Sequence, residues 1–217
     1  MNNIWRYETK IVVKDSSVSN LMNEVYTNPL MFTSLFIPRM VNNLYFDTLD
    51  LDHFHDHIYG YPKRLKVRLR WYGDFNSIQN ATIEIKKKEG TVGSKISFPV
   101  TGNIDLNESI SLLDIFKKTS APIQTQESLS NLVPSLYNRY HRTYYISANG
   151  KVRLTIDSDI NHKSVHTSFW TEEPNDLRIV EFKYNQKEFF DGERALKNFS
   201  FVQDKSSKYV RGLLRTT

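Results

Sequence analysis

The sequence predicts an α+β fold: a closed antiparallel β-barrel of about eight strands with α-helices packed outside. Three observations point there. Short runs alternate in period two along most of the chain, which is the strand signal. Helical stretches are few and amphipathic. The alternation also has an unusual content, because one side of each run is apolar and the other is mostly Arg, Lys and Glu.

The predicted strands, in order, are 6–13 (RYETKIVV), 40–47 (MVNNLYFD), 64–72 (RLKVRLRWY), 81–88 (ATIEIKKK), 94–100 (SKISFPV), 138–146 (NRYHRTYYI), 151–157 (KVRLTID) and 178–184 (RIVEFKY). Turn chemistry separates them at Gly73-Asp74, Glu89-Gly90 and Ala148-Asn149-Gly150. The last reads as a hairpin turn, since Asn-Gly tolerates positive φ. Residues 17–27 form a helix that can start on a Ser cap. Residues 107–118 put Ile110, Leu113 and Phe116 at helical spacing. A third helix spans about 188–198, and the basic tail DKSSKYVRGLLR is a fourth.

The chain has 217 residues, enough for a substantial core, and no Pro/Gly/Ser linker divides it. It therefore reads as one domain over 1–217. The absence of cysteine excludes disulfides and thiolate metal sites and fits a reducing, cytoplasmic setting. The first ten residues lack a signal-peptide run, and no stretch of about 18 apolar residues predicts membrane insertion by this chain. A net charge of +5 permits nucleic acid, membrane surfaces or phosphorylated small molecules as partners without choosing among them.

Side chains at i and i+2 share a strand face. One face therefore collects Glu8 and Lys10; Lys66, Arg68 and Arg70; Glu84, Lys86 and Lys88; Tyr140 and Arg142; Arg153, Thr155 and Asp157; Glu181 and Lys183. A single strand of this kind is ordinary solvated sheet. Six such strands, with amphipathic helices available to cover the apolar side, predict that the charged faces line the interior. A lumen rich in cations needs a counter-charge. A phosphate chain supplies one, bound by the planar fork of Arg and the point charge of Lys. The scattered glutamates then suit a divalent cation that bridges phosphate oxygens.

The ordered fragments RYETK, NNLYFDT, KVRLRWYG, IEIKKK, SLYNRYHRTYY, VRLTIDSDI, IVEFKY and SSKYVRG resemble the vacuolar transporter chaperone (VTC) polyphosphate polymerase domain. That domain belongs to the triphosphate tunnel metalloenzymes, and this chain is similar to a bacterial-type, stand-alone member. The resemblance spans about residue 6 to 212. It implies a tunnel whose catalytic set is Lys10, Arg68, Arg70, Lys86, Arg142, Arg153, Glu181 and Lys208. Lys95, Tyr140, Lys183 and Ser207 join the basic members of that set in binding phosphate. It implies Mn2+ or Mg2+ held by Glu181, with Glu8 and Glu84 as further acidic candidates. ATP and inorganic polyphosphate are the implied partners, with no nucleic acid and with any membrane coupling left to a separate partner. Where hydrolase and cyclase branches open with Glu-x-Glu-x-Lys, this chain has Arg6-x-Glu8-x-Lys10, the form of the polymerase branch. That departure puts a second metal ion in doubt.

Other features carry less. His53, His55 and His57 could hold zinc only if one strand face presented all three. The run at 86–88 reads as solvated surface, with Lys87 turned outward. No Gly-rich phosphate loop of the Gly-x-x-x-x-Gly-Lys type occurs, and no Ser/His/Asp set stands out. Four functions stay open on the residues. They are polyphosphate synthesis from ATP, metal-dependent triphosphate hydrolysis in the same tunnel, metal-independent binding of polyphosphate, and single-stranded nucleic-acid binding. Arg6 favours the first. The last would put aromatics on the charged face, where only Tyr140 and Tyr144 qualify.

Overall fold

The computed structural model describes residues 6–14, 17–90, 92–105, 110–204 and 206–216. Its strands are β1 (Arg6–Val13), β2 (Thr33–Asp47), β3 (Lys63–Tyr72), β4 (Thr82–Glu89), β5 (Val92–Pro99), β6 (Val133–Ile146), β7 (Arg153–Ser164), β8 (Thr171–Glu172) and β9 (Arg178–Asn185). Its helices are α1 (Ser17–Thr27), α2 (Asp52–Ile58), α3 (Leu112–Lys117), α4 (Ile123–Ser128), α5 (Phe189–Lys197) and α6 (Lys208–Thr216).

The strands hydrogen-bond in the order β6-β2-β3-β4-β5-β1-β9-β7-β8, and β6 also pairs with β7. That second pairing closes the sheet into a ring, with β8 appended to β7. All pairings are antiparallel. The ring has one thin seam among the described residues. There β1 and β5 pair only at Arg6 and Gly93, whereas β1 and β9 stay in register from Arg6 to Val13. Further along β1, the segment before α6 takes over that edge. Gln203 bridges to Ile11, and the Asp204 N–H donates to the Lys10 carbonyl at 3.0 Å.

The two largest apolar clusters lie outside the ring. One gathers Val67, Leu69, Ile83, Ile85 and Phe98 under Leu112, Ile115 and Phe116 of α3. The other gathers Ile11, Leu154, Val180 and Phe182 under Leu21 and Val25 of α1 and Ala195 and Leu196 of α5. This arrangement follows from the alternation: the aliphatic positions turn outward because short helices can cover them there.

Several elements differ from the sequence expectation. β2 begins at Thr33, not 40, because Pro38 and register shifts at Ser34/Phe36 and Phe36/Arg39 break the period-two pattern. α2 occupies the histidine segment. Its first turn is held by strand-end groups: Asp47 accepts the N–H groups of His53 (2.9 Å) and Phe54 (3.0 Å), and Thr48 Oγ accepts that of Asp52 (2.9 Å). A helix turns His55 away from His53 and His57, and no metal-holding cluster occurs among the described residues. α3 is shorter than 107–118, and residues 107–109 lie outside the described residues. At the Asn149-Gly150 turn only Gly150 takes positive φ (73°), so the connection is a longer loop closed by the Ser147 N–H on the Val152 carbonyl.

Because Phe116 is fully buried between α3 and the outer sheet face, Phe116→Ala is expected to cost about 3–5 kcal/mol. Urea unfolding followed by circular dichroism checks this.

Candidate functional site

With the apolar side chains outside, the alternate positions must point into the ring. Contacts across the lumen bear this out. Arg70 on β3 donates from Nη2 to the Tyr140 hydroxyl on β6 at 3.1 Å, and Lys86 on β4 bonds to Glu8 on β1. Neither pair joins sheet neighbours. Lys10, Lys66, Arg68, Arg70, Lys86, Arg142, Lys183 and Lys208 therefore share one space with Glu8, Glu84, Asp157 and Glu181, and Lys95 and Arg153 stand exposed at its open end. Cations outnumber carboxylates.

Each carboxylate is surrounded. Glu84 accepts from Arg68 (2.6 and 2.8 Å) and Lys95 (2.7 Å), and Arg70 approaches at 3.5 Å. Burial pushes its carboxyl up, yet Arg70 and Arg68 outweigh that and hold it well below the usual range. Asp157 takes a two-toothed bond from Arg142 (2.6 and 2.7 Å) and a third from Lys208. Against burial, those two cations bring it to about 2. Glu8 also lies at about 2, burial being overcome by Lys86, and Arg6 reaches it at 3.3 Å. Glu181 meets Lys183 at 2.7 Å and Lys10 at 4.0 Å. These lysines keep it ionised despite its burial.

The cations carry the strain of crowding. Burial lowers Lys10 to about 8, helped by Lys208 and Lys86 and opposed by Glu181. Lys66 is lowered well below the ordinary value by burial and by Lys10, Lys86 and Arg68. Its Nζ bonds to Ser207 Oγ at 2.9 Å, and no carboxylate lies within ion-pair distance among the described residues.

α6 closes the ring end away from the start of β2. Tyr209 and Leu213 pack on Tyr45 and Leu136, on the inward faces of β2 and β6. Glycine is needed at 212, because a Cβ there would sit 2.4 Å from Leu136 and 2.5 Å from the His162 ring. Glu173, before β9, clasps Arg211 (2.8 and 2.9 Å) and Arg215 (2.9 Å) and so fixes the helix. Ser207 caps α6, accepting the Val210 N–H on its hydroxyl at 3.3 Å. The capped N-terminus thus faces Lys66, and Lys10 Nζ donates to the Ser206 carbonyl at 2.6 Å.

The opposite end is open. A cavity of about 220 Å³ there is lined by Arg6, Leu35, Phe36, Arg39, Lys95, Arg142, Tyr144, Tyr145, Arg153, Thr155 and Lys183.

All the residues singled out from the sequence line this tunnel or its α6 end. Their settings differ. Arg68, Arg70 and Lys95 are engaged by Glu84, whereas Arg153 and Lys66 have no carboxylate within ion-pair distance among the described residues. Both Glu84 oxygens are taken by cations, at 2.6 to 2.8 Å. Lys66 and Asp157 were visible on the charged face but are not in the set carried over from the resemblance. Arg39 and Phe36 had no signal, because they sit in the irregular start of β2.

Glu181 and Glu8 are the acids placed to share one divalent ion, were one bound. Glu181 and Glu8 lie on adjacent strands, with Lys10 opposite Glu181 and Glu8 opposite Lys183. Mg2+- or Mn2+-type ions take one or two carboxylates and complete their shell with water and phosphate oxygens. Glu8 is engaged on both oxygens by Arg6 and Lys86, whereas one Glu181 oxygen has only Lys10 at 4.0 Å among the described residues.

A cationic tunnel through an antiparallel ring, floored by a C-terminal helix, defines the triphosphate-tunnel class of fold. The family model described as "VTC domain" matches residues 5–216, so the chain belongs to the VTC domain family. The structure is similar to that of a putative adenylate cyclase from Vibrio parahaemolyticus, with a TM-score of 0.53 and 12% identity over 95% of this chain and 98% of that one. It is also similar to the PH1819 protein from Pyrococcus horikoshii OT3, with a TM-score of 0.51 and 13% identity over 96% and 98% of the two chains. At such identities the likeness is one of fold. No curated protein matches the sequence significantly.

Tyr140 gives the lumen field an optical reporter. Burial raises its hydroxyl, but Arg142 and Arg70 outweigh burial and bring it down to about 8. An absorbance titration at tyrosinate wavelengths is expected to show a step near pH 8 that disappears in Tyr140→Phe.

Proposed function

We propose that this protein is a polyphosphate polymerase, transferring the γ-phosphoryl group of ATP to the end of an inorganic polyphosphate chain inside the tunnel. The single observation that carries the reading is the excess of enclosed cations over carboxylates, in a lumen walled by the sheet. Membership of the VTC domain family supports it. An anionic chain is the ligand that such a space lacks.

Phosphoryl transfer asks little covalent chemistry of a protein; positioning and electrostatic stabilisation supply most of the rate. Arg142, Arg153 and Lys183 would receive phosphates from the open end. Lys10, Lys66, Lys86 and Lys208 would hold them near α6, with Ser207 as a hydrogen-bonding partner. Glu84 keeps Arg68, Arg70 and Lys95 charged and fixed, so that their remaining N–H groups face the chain. Tyr140, held by Arg70, adds a hydroxyl. A terminal polyphosphate oxygen bonds to the γ-phosphorus as the bond to the β–γ bridging oxygen breaks. The products are ADP and a chain one phosphate longer, and no enzyme nucleophile takes part. A divalent ion at Glu181, when bound, would gather negative charge on the transferring group. With Glu181 holding that ion, Lys183 and Lys10 would be available to phosphate oxygens. Arg6 neutralises Glu8, which favours a single ion over two.

Incubation of the purified protein with ATP and manganese tests this. A ladder of long phosphate chains on a gel is expected. Orthophosphate alone would make the tunnel a triphosphatase, and unchanged ATP would leave a binding module. Glu181→Gln is expected to abolish synthesis while leaving the circular dichroism spectrum intact; retained synthesis in that variant would remove Glu181 from the metal role.

A further inference from the structure

The open end of the tunnel is two-faced. One wall is cationic, with Arg142, Arg153 and Lys183. The other is apolar, with Leu35, Phe36 and Tyr144. A phosphate chain needs only the first wall.

The apolar wall is built by the irregular start of β2. Register shifts on either side of Phe36 interrupt its pairing with β6. Such bulges re-aim side chains. Here they leave the Phe36 ring 54% exposed at the cavity edge. It stands edge-on to Tyr144, with centroids 5.6 Å apart at 84°. At least one face of the ring is free of that contact.

Arg39 is arranged beside them. Its guanidinium lies 4.0 Å from the Tyr72 ring centre and 5.2 Å from that of Tyr144, and Nε donates to the Tyr144 hydroxyl at 3.1 Å. It pairs across the strands with Arg142, a like charge. Asp157 neutralises Arg142, but no carboxylate lies within ion-pair distance of Arg39 among the described residues. A planar cation stacked on aromatics, beside an exposed phenyl ring and next to a phosphate path, suits a ligand that is flat and apolar at one end and polyanionic at the other. Stacking on aromatic rings and guanidinium planes is how proteins hold bases that are free of a duplex.

We propose that this mouth is a nucleobase subsite: Phe36 and Tyr144, with Arg39 clamped between Tyr72 and Tyr144, hold the base of a nucleoside triphosphate whose phosphates run inward along the cationic wall. The inference rests on the phosphate-tunnel reading above and adds to it a preference for a nucleotide over a bare phosphate chain.

Calorimetric titration with ATP and, separately, with sodium tripolyphosphate tests both levels. Phe36→Ala is expected to weaken ATP roughly tenfold, the size of one lost stacking contact, and to leave tripolyphosphate unchanged. Phe36→Leu keeps apolar bulk without a flat face and is expected to behave like the alanine variant. Equal losses for both ligands, or unchanged ATP binding in both variants, would overturn the nucleobase subsite while leaving the tunnel reading in place. If the unaltered protein bound neither ligand, the tunnel reading itself would fall, and this subsite with it.

Discussion

Ion pairing inside the ring is the constraint on which the rest of this structure depends. Most sheets put aliphatic residues inward and charges toward water. This one does the reverse, and such a lumen holds together only if like charges are kept from one another. Glu84, Asp157, Glu8 and Glu181 do that work from separate strands, each engaging two or more cations. Removing one carboxylate from a buried pair leaves an uncompensated charge, which is far costlier than never having built the pair. The acids are therefore structural.

The balance is deliberately incomplete. Lys66 has only a serine hydroxyl, and Lys10 lies 4.0 Å from its carboxylate and donates to a backbone carbonyl. Both ammonium groups are held below their ordinary affinity for a proton, because burial and neighbouring lysines disfavour the charge. An arriving anion relieves that repulsion. α6 places a serine cap and Lys208 at the same point.

Much of the architecture was legible in the residues. Alternation gave the ring's strands in order, because each buries an aliphatic face under a helix and so cannot slip by one residue without exposing it. The same alternation placed Lys10, Arg68, Arg70, Lys86, Arg142, Arg153, Glu181 and Lys183 on common faces. The pattern failed where local rules are broken for a reason. The start of β2 carries Pro38 and bulges. The histidine segment has no apolar period, and its helix is held by Asp47 and Thr48 from the preceding strand end. Neither signal can be read from propensity, since each depends on partners supplied by other elements or by irregular pairing.

Sequence by itself determined that the charged and apolar side chains occupy opposite faces of each strand, because the pleat imposes a period of two. It also determined the sign of the excess charge. Only the tertiary structure decided which face is inside, since that depends on the β6–β7 pairing that closes the ring and on where α1, α3 and α5 pack. The fold likewise chose the partner of each cation. Glu84 meets arginines one strand away, Glu8 meets Lys86 across the thin seam, and Lys66 meets Ser207 from the far end of the chain. Contacts of that kind are set by ring closure and by the docking of α6, and neither is written in the spacing of residues along a strand.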